Sequence, residues 1–330
     1  MTREKVLSIL KEAGESYCSG QSMSRTLGLS RAAVWKAIDA LRQEGYHISS
    51  VPHRGYRLEQ APDLLSAGEL MGALSDCVLG QNVICLDRVD STNNYAKQLA
   101  NQGAPHGTVV LTDHQTDGRG RRGNSFLSPA GKGLYLSVLL RPELPPTDVI
   151  NLTAWIAVAV CDAVEQVIGE RPGIKWTNDL ILRQKKLCGI LTEMSLEAET
   201  GELQYVVAGI GLNVSQTDED FGTEVASLAI SLEQALGRKV RRADLAAAVI
   251  RALDRMMADF PHEKASYLER YRSHCLTLGR EVRLIRKGKA QIAFAESIDE
   301  DFALVVRHEN GVRETVTAGD VSVRGLLGYV

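Results

Sequence analysis

The chain has 330 residues, of which 44% are hydrophobic and 24% are charged, and its formal net charge is −3. This length indicates two or three domains, and this composition is that of an ordinary globular protein. The small negative charge excludes a chain that binds polyanions over its whole surface, so contact with nucleic acid must be confined to one part of it.

Cysteine spacing and apolar runs indicate where the protein works. The six cysteines form no Cys-x-x-Cys pair and no spacing typical of metal ligands, which favours reduced and mostly buried thiols. The N-terminal stretch is charged and amphipathic rather than a targeting peptide, and the apolar run Leu152–Cys161 is too short to span a bilayer. We therefore expect a cytoplasmic protein without membrane contact and without a metal site built from its own side chains.

The first 60 residues predict a winged helix-turn-helix. Apolar spacing indicates one helix near the N-terminus and a second over Gln21–Leu27. Ser30 is the expected N-cap of a third helix, Arg31–Glu44. Two short strands joined by a turn near Pro52–Gly55 follow. This order of helices and hairpin is that of the DNA-binding motif, whose second paired helix lies in the major groove.

Charge supports this interpretation of the N-terminal segment. Nine Lys and Arg against six Asp and Glu leave residues 1–60 at about +3, and the rest of the chain at about −6. The residues that we expect to contact DNA are Ser30, Arg31 and Lys36. A small helical interaction domain with a solvated basic face is the alternative.

Residues 63–275 predict a mixed α/β domain. The expected strands are Val83–Val89, Thr108–Asp113, Leu134–Arg141, Ile174–Trp176, a hairpin over Asp179–Glu193, and Tyr205–Val214. The expected helices are Thr92–Asn101, Asp148–Ile168, Leu228–Leu236 and Ala243–Phe260. Because strands and helices do not alternate regularly, a doubly wound sheet is excluded.

Residues 276–330 predict a small SH3-like β-barrel. Asn310-Gly311 is a two-residue hairpin signal, and Lys287-Gly288 marks another turn. The expected strands are Glu281–Ile285, Lys289–Ile298, Ala303–His308, Arg313–Thr317 and Asp320–Val323. The chain thus divides into predicted domains 1–62, 63–275 and 276–330.

The stretch Thr116–Asn124, TDGRGRRGN, alternates glycine with arginine. It matches the dinucleotide fingerprint G-x-G-x-x-G formally, but it leads into a segment with a proline and two glycines rather than into a helix. Glycine lets backbone N–H groups approach an anion, and arginine supplies forked donors for phosphate or carboxylate. The stretch therefore favours an anion-binding loop; a solvated loop without a ligand and a loop that contacts nucleic acid are the alternatives.

Three other stretches carry polar groups at the ends of predicted strands. Asp90–Asn94 opens a helix, so its hydroxyls either cap that helix or bind a ligand. Lys175–Asp179 combines a lysine, an amide and a carboxylate in a turn, which suits anion binding and equally a plain solvated turn. Gly209–Asn213 ends an apolar strand with glycines that permit close backbone approach.

Taken in order, the motifs DSTN, Q-x-x-GRGRRG, KW-x-ND, KLCGIL-x-E and GIGLNV, flanked by a winged helix and a small barrel, resemble the bifunctional biotin–protein ligase and biotin operon repressor family. The resemblance covers essentially the whole chain. It implies an α+β multidomain protein whose central domain is similar to class II aminoacyl-tRNA synthetases. Its implied activity condenses biotin with ATP, with Mg²⁺, to biotinyl-5′-adenylate and transfers biotin to one lysine of a biotin carboxyl-carrier protein.

The resemblance also implies site residues. The implied biotin-binding residues are Ser91, Thr92, Asn93, Gln115, Arg119, Gly120, Arg121 and Lys175. The implied adenylate-binding residues are Arg121, Arg122, Lys186 and Asn213. The implied catalytic residues are Lys175, Arg119 and Asp179, with Asp179 deprotonating or positioning the incoming lysine.

The sequence departs from the family pattern in two places. Thr177 stands where the family often has proline, and Asn124–Phe126 replaces a more usual Arg-x-Trp. The resemblance further implies operator DNA as a partner and a homodimer when the adenylate is bound. Alternatives are a biotin sensor without ligase activity, a ligase with a vestigial DNA-binding domain, and a lipoate-type ligase. The polar Ser91, Thr92 and Gln115 favour the ureido ring of biotin over a lipoyl chain.

Overall fold

The computed structural model describes residues 2–286 and 289–317, and the backbone of residues 322–325. The N-terminal part contains α1 (Thr2–Glu12), α2 (Gly20–Leu27), α3 (Arg31–Gln43) and an antiparallel hairpin of β1 (His47–Val51) and β2 (Gly55–Gln60). Apolar side chains from all three helices and the hairpin form a separate core. The predicted winged helix-turn-helix is confirmed.

The start of α3 shows why the local prediction succeeds. The Ser30 hydroxyl accepts a hydrogen bond from the backbone N–H of Ala33 at 3.1 Å, as an N-cap does. Val34, Ile38 and Leu41 then face the core at helical spacing and are buried.

The central domain is built on a seven-stranded mixed sheet. Its strands are β3 (Val83–Val89), β4 (Val109–Gln115), β5 (Gly133–Leu140), β6 (Gly173–Lys175), β7 (Asp179–Leu182), β8 (Lys185–Leu196) and β9 (Leu203–Asn213). Their order is β3-β4-β5-β9-β8-β7-β6, with β3 and β4 parallel and all other neighbours antiparallel. The sheet is therefore not doubly wound, as expected.

Eight α-helices belong to the described part of this domain: α4 (Ala67–Leu70), α5 (Thr92–Asn101), α6 (Pro146–Val149), α7 (Leu152–Ile168), α8 (Asp218–Val225), α9 (Leu232–Leu236), α10 (Arg242–Asp259) and α11 (Lys264–His274). The single helix expected over Asp148–Ile168 is divided in two. The helix expected from Leu228 begins only at Leu232, because Ser231 and Gln234 form a capping box there. Helices α4, α8 and α11 were not predicted from the sequence.

Helix α7 packs with α10 against one face of the sheet, and α5 covers the other. The apolar run Leu152–Cys161 lies within a longer stretch, residues 146–168, whose 23 residues are long and apolar enough to cross a membrane. However, 67% of its apolar window is buried inside the protein, which is typical of a core helix.

The C-terminal part is a five-stranded antiparallel sheet in the order β13-β12-β11-β10-β14. Its strands are β10 (Glu281–Arg286), β11 (Lys289–Ile298), β12 (Leu304–Arg307), β13 (Arg313–Val316) and β14 (Ser322–Gly325). The turn predicted at Lys287-Gly288, and Asp320 and Val321 of the last predicted strand, lie outside the described residues. The main hydrophobic core continues from the central domain into this sheet through Val282 and Leu284.

A buried carboxylate joins the N-terminal unit to the central domain. The Glu69 side chain is 0% exposed and accepts hydrogen bonds from Lys11, from the Tyr46 hydroxyl at 2.6 Å and from Arg241 at 2.8 Å. Burial, and next the bond to Glu69, raise the pKa of Tyr46. At Gly68 a Cβ atom would lie 2.9 Å from Cγ of Glu4, so glycine lets α1 approach α4 closely.

We expect Glu69→Ala to lower the free energy of unfolding by about 1–3 kcal/mol, because it removes the buried carboxylate that accepts from the Tyr46 hydroxyl, Lys11 and Arg241. Urea unfolding measures this loss. The matched control is Asp76→Asn, which removes the exposed partner of Arg251 and should cost less than about 1 kcal/mol. Equal losses in the two variants would contradict a special role for the Glu69 cluster.

Candidate ligand-binding site

A cavity with about 460 Å³ of open space lies where the N-terminus of α5 faces β8 and β9. Seven of the predicted biotin-binding residues line it, and they come from two motifs that are separate in sequence: Ser91, Thr92, Asn93, Gln115, Arg119, Gly120 and Arg121. The remaining wall is formed by Phe126, Asn178, Lys186, Gly189, Ile190, Leu191, Gly209, Ile210 and Gly211. The structure thus brings the Asp90–Asn94 stretch, the glycine-arginine loop and the Gly209–Asn213 strand to one place.

The first turn of α5 is held by Gln115 rather than by Ser91. The Gln115 Oε1 atom accepts hydrogen bonds from the backbone N–H and the hydroxyl of Thr92, at 2.9 and 3.1 Å. In the described structure Ser91 makes no side-chain capping bond, although it occupies the N-cap position. The capping interpretation of this stretch is therefore not supported, and the Ser91 hydroxyl lies at the cavity wall.

Asn93 connects α5 to the floor of the cavity. Its Nδ2 atom donates to Glu193 at 2.8 Å, and its Oδ1 atom accepts from the Ser137 hydroxyl at 2.6 Å. A Cβ atom at Gly209 would lie 2.1 Å from Asn93 Oδ1, so only glycine fits there. The glycine that the sequence suggests for close backbone approach is required by this amide.

The glycine-arginine loop folds back on itself. The N–H of Phe126 donates to the Gly118 carbonyl and that of Gly120 to the Asn124 carbonyl, both at 2.7 Å. A Cβ atom at Gly118 would lie 2.3 Å from the Phe126 carbonyl oxygen. The Phe126 ring lies over Gly211, where a Cβ atom would be 2.7 Å from it. Phe126, which stands where the family more usually has tryptophan, therefore forms part of the cavity wall.

Arg121 joins this loop to the Lys175–Asp179 turn. Its Nη1 atom donates to the Thr177 hydroxyl at 2.9 Å and to Asn178 Oδ1 at 3.0 Å. Burial lowers the pKa of Arg121 from its usual value, and the guanidinium remains a cation at neutral pH. Thr177, which stands in place of proline, thus supplies a hydroxyl that proline cannot.

The two charged residues of the turn face each other across β6 and β7. Lys175 pairs with Asp179 in the strand register, and Asp179 Oδ1 lies 2.8 Å from Lys186 Nζ. Lys175 is only 7% exposed, and in the described structure it is not among the residues that line the cavity. Lys186, which is predicted to bind the adenylate, lines this cavity and pairs with Asp179.

Residues from the last third of the chain hold this turn, and sequence reasoning missed them. The backbone N–H of Trp176 donates to the Thr277 hydroxyl at 2.9 Å, and its indole N–H donates to the Phe302 carbonyl at 2.9 Å. The Tyr271 hydroxyl donates to the Thr177 carbonyl at 3.1 Å. No local pattern signals these contacts, since they span more than ninety residues.

A second cavity, with about 1230 Å³ of open space, adjoins the first. Phe126 and Lys186 line both cavities, and Asn213 lines the second. The Asn213 amide donates to the Ile230 carbonyl at 3.2 Å and so ties the end of β9 to the segment before α9. Arg122 is exposed on the loop and, within the described structure, is not among the residues that line either cavity.

The N-terminal domain presents a second candidate surface. The Ser30 hydroxyl is used as the N-cap of α3, whereas Arg31 and Lys36 are exposed on that helix. Trp35, which the sequence analysis did not select, is 55% exposed beside them. On the hairpin, the guanidinium groups of two arginines lie 4.5 and 4.9 Å from the Tyr17 ring centre: Arg54 and Arg57.

Comparison with known proteins defines the class. Residues 85–213 match the biotin/lipoate A/B protein ligase family, residues 2–57 an HTH domain, and residues 277–324 the biotin protein ligase C terminal domain. A structure of the biotin protein ligase from Aquifex aeolicus in complex with biotin and ATP superposes with a TM-score of 0.64 at 28% identity, covering 74% of this chain and 99% of that one. Fold and site together are those of a protein ligase joined to a helix-turn-helix domain.

Full-length relatives specify the family. The bifunctional ligase/repressor BirA of Bacillus subtilis (strain 168) is 37% identical over 317 residues, which are 96% of this chain and 97% of the relative. BirA of Escherichia coli (strain K12) is 33% identical over 321 residues, 97% and 96% of the two chains. The chain therefore belongs to the bifunctional ligase/repressor family.

We expect Gly209→Ala to close the first cavity and to lower the free energy of unfolding by about 1–3 kcal/mol, because the new Cβ atom displaces the Asn93 amide. Thermal unfolding and biotin titration calorimetry measure the two effects. Gly189→Ala is the control in the neighbouring strand, since its Cβ would meet the flexible end of Lys186 at 3.3 Å and should cost less. Unchanged biotin binding by folded Gly209→Ala would refute this account of the floor.

Proposed function

We propose that this protein activates biotin with ATP, transfers the biotinyl group to a lysine of a biotin carboxyl-carrier protein, and binds operator DNA as a homodimer when biotinyl-adenylate is present. The observation that carries the ligase activity is the meeting of the α5 N-terminus, the glycine-arginine loop and the β8–β9 floor at one cavity. The named activities and ligands of the relatives support the same assignment.

The first cavity is the proposed biotin subsite. Ser91 offers a hydroxyl at the helix N-terminus that can bond to the ureido ring. Thr92 already donates to Gln115, and Asn93 accepts from Ser137, so we assign these three residues to shaping and orienting this end of the pocket. Arg119, Gly120 and Arg121 cover the opposite side. A competition experiment with biotin and lipoate distinguishes a biotin ligase from a lipoate-type ligase, because only the true substrate should displace the other from this cavity.

The second cavity is the proposed adenylate subsite. Because Phe126 and Lys186 line both cavities, we infer that the biotin carboxylate and the α-phosphate meet beside them. Asn213 holds the far wall, and Arg122 would approach the nucleotide from the loop. Among the described residues no cluster of three or more His, Cys, Asp and Glu side chains could hold a metal. A magnesium ion would then depend mainly on phosphate oxygens of ATP for its ligands.

The first reaction joins two anions, so charge neutralisation and alignment must supply most of the catalysis. A biotin carboxylate oxygen attacks the α-phosphorus, and pyrophosphate leaves. We assign the cationic role to Arg119, Arg121 and Lys175, with Lys186 at the junction of the subsites. Because a mixed anhydride hydrolyses in water, the arginine loop also serves as a cover.

In the second reaction the carrier lysine amine attacks the biotinyl carbonyl carbon, and AMP leaves. The amine must lose a proton before or during this attack. Asp179, bonded to Lys186 at 2.8 Å, is the proposed acceptor or orienting group.

We expect Lys175→Met to lower the rate of biotin-dependent pyrophosphate release about 100-fold, because it removes a cation while it keeps the buried aliphatic stem. Thermal unfolding is measured in parallel and should change little. Arg183→Gln is the control. It removes an exposed cation, which pairs with Glu170, from the same hairpin region. A folded Lys175→Met enzyme with the wild-type rate would exclude Lys175 from the chemistry.

For the DNA-binding function, we expect biotin plus ATP to shift the protein from monomer to dimer in sedimentation and to strengthen operator binding. One α3 helix reads one half-site, so a palindromic operator requires two chains. Lys36→Gln should weaken DNA binding equally at all DNA sequences, and it should reduce the number of counterions released on binding by about one. Lys5→Gln, an exposed cation of α1, is the control. If the protein stays monomeric with biotin plus ATP and binds the operator no better than other DNA, the DNA-binding proposal is wrong and only the ligase activity remains.

A further inference from the structure

Arg242, the first residue of α10, is buried although it is charged. It is 4% exposed, and its guanidinium donates to Asp113 at 2.6 Å, to the Asp63 carboxylate at 2.7 Å and to the Asp63 carbonyl at 3.0 Å. Its backbone N–H donates to Asp63 as well, at 2.8 Å. Three forked donors thus fix two aspartates that are far apart in sequence.

One of these aspartates lies in the strand that carries Gln115. Strand β4 pairs with β3 as far as Val89 opposite Gln115, but its pairing with β5 ends at Thr112 opposite Tyr135. In the described part of the chain, residues 113–115 therefore have a sheet neighbour on one side only. On the other side the Asp113 carbonyl accepts from Gly131 at 3.2 Å, and the Gln115 N–H donates to Ser128 at 3.4 Å.

These backbone contacts are long compared with the bond from Arg242 to the Asp113 carboxylate. Gln115, two residues further on, holds the backbone and the hydroxyl of Thr92 and donates to Ser128 at 2.8 Å. A shift of Asp113 would therefore move the group that orients the first turn of α5. The position of Thr92 in the cavity wall therefore depends on residues 113–115, the end of β4 that pairs with β3 alone.

We propose that Arg242 is a positioning residue for the biotin pocket: through Asp113 it fixes the end of β4, and through Gln115 it fixes the start of α5. This inference rests on the proposed function, since it takes biotin as the ligand of the first cavity. Asp63, in the segment between β2 and α4, is the anchor on the other side of the guanidinium.

The test compares steady-state constants of three variants. Arg242→Gln should raise the KM for biotin about tenfold, because the pocket loses its preset geometry, while kcat and the KM for ATP change less than about twofold. Asp113→Ala should give the same shift with a smaller loss of stability than Arg242→Gln, because Asp63 still pairs with the buried guanidinium. Arg251→Gln, which removes an exposed ion pair from the same helix, should change none of these constants.

A double variant distinguishes positioning from general destabilisation. If Arg242 acts through Asp113, Arg242→Gln with Asp113→Ala raises the biotin KM no further than either change alone. Arg242→Lys, which keeps one cation but not the fork, should restore part of the biotin affinity. An unchanged biotin KM in folded Asp113→Ala, or additive effects in the double variant, would overturn the inference. Failure of the wild-type chain to bind biotin would instead overturn the proposed function and this inference with it.

Discussion

The contact between the Asn93 amide and the backbone of Gly209 is the constraint on which the ligand site depends. A side chain at residue 209 would lie 2.1 Å from Asn93 Oδ1, so the contact exists only because this residue is glycine. From Asn93, bonds extend to Glu193 in β8 and to Ser137 in β5, and Ser137 also donates to Thr92 at 2.8 Å. The α5 N-terminus is thereby fixed over the sheet, and the cavity lies between them.

The glycine-arginine loop combines two properties that its sequence suggests and one that it does not. Its arginines supply cations at the cavity, and Gly123 adopts a φ of +77° that glycine accommodates easily. The requirement at Gly118 is steric instead, because the Phe126 carbonyl oxygen lies where a Cβ atom would be. Glycine therefore serves this loop in two ways, through the backbone conformation at Gly123 and through the close approach at Gly118.

Buried contacts also connect the flanking domains to the ligase site. Trp176 is held by Thr277 and by the Phe302 carbonyl, so the C-terminal sheet positions the turn that carries Lys175. Glu69 collects donors from the N-terminal unit and from Arg241, which directly precedes Arg242. Both flanking units are therefore attached to the central domain through buried side chains.

The sequence by itself determined the elements whose signals are local. The Ser30 cap and the bounds of Val83–Val89 and Thr92–Asn101 agree with the structure, because caps and apolar patterns act over a few residues. Tertiary structure alone decided the division of α6 from α7, the partners of Trp176, the burial of Lys175, and the Arg242–Asp113 bond. Each of these depends on groups that are far apart in sequence and are brought together only by packing. Helix α11 escaped prediction for a different reason: its charged sequence has too little apolar periodicity, and its buried face is defined only by the neighbours it packs against.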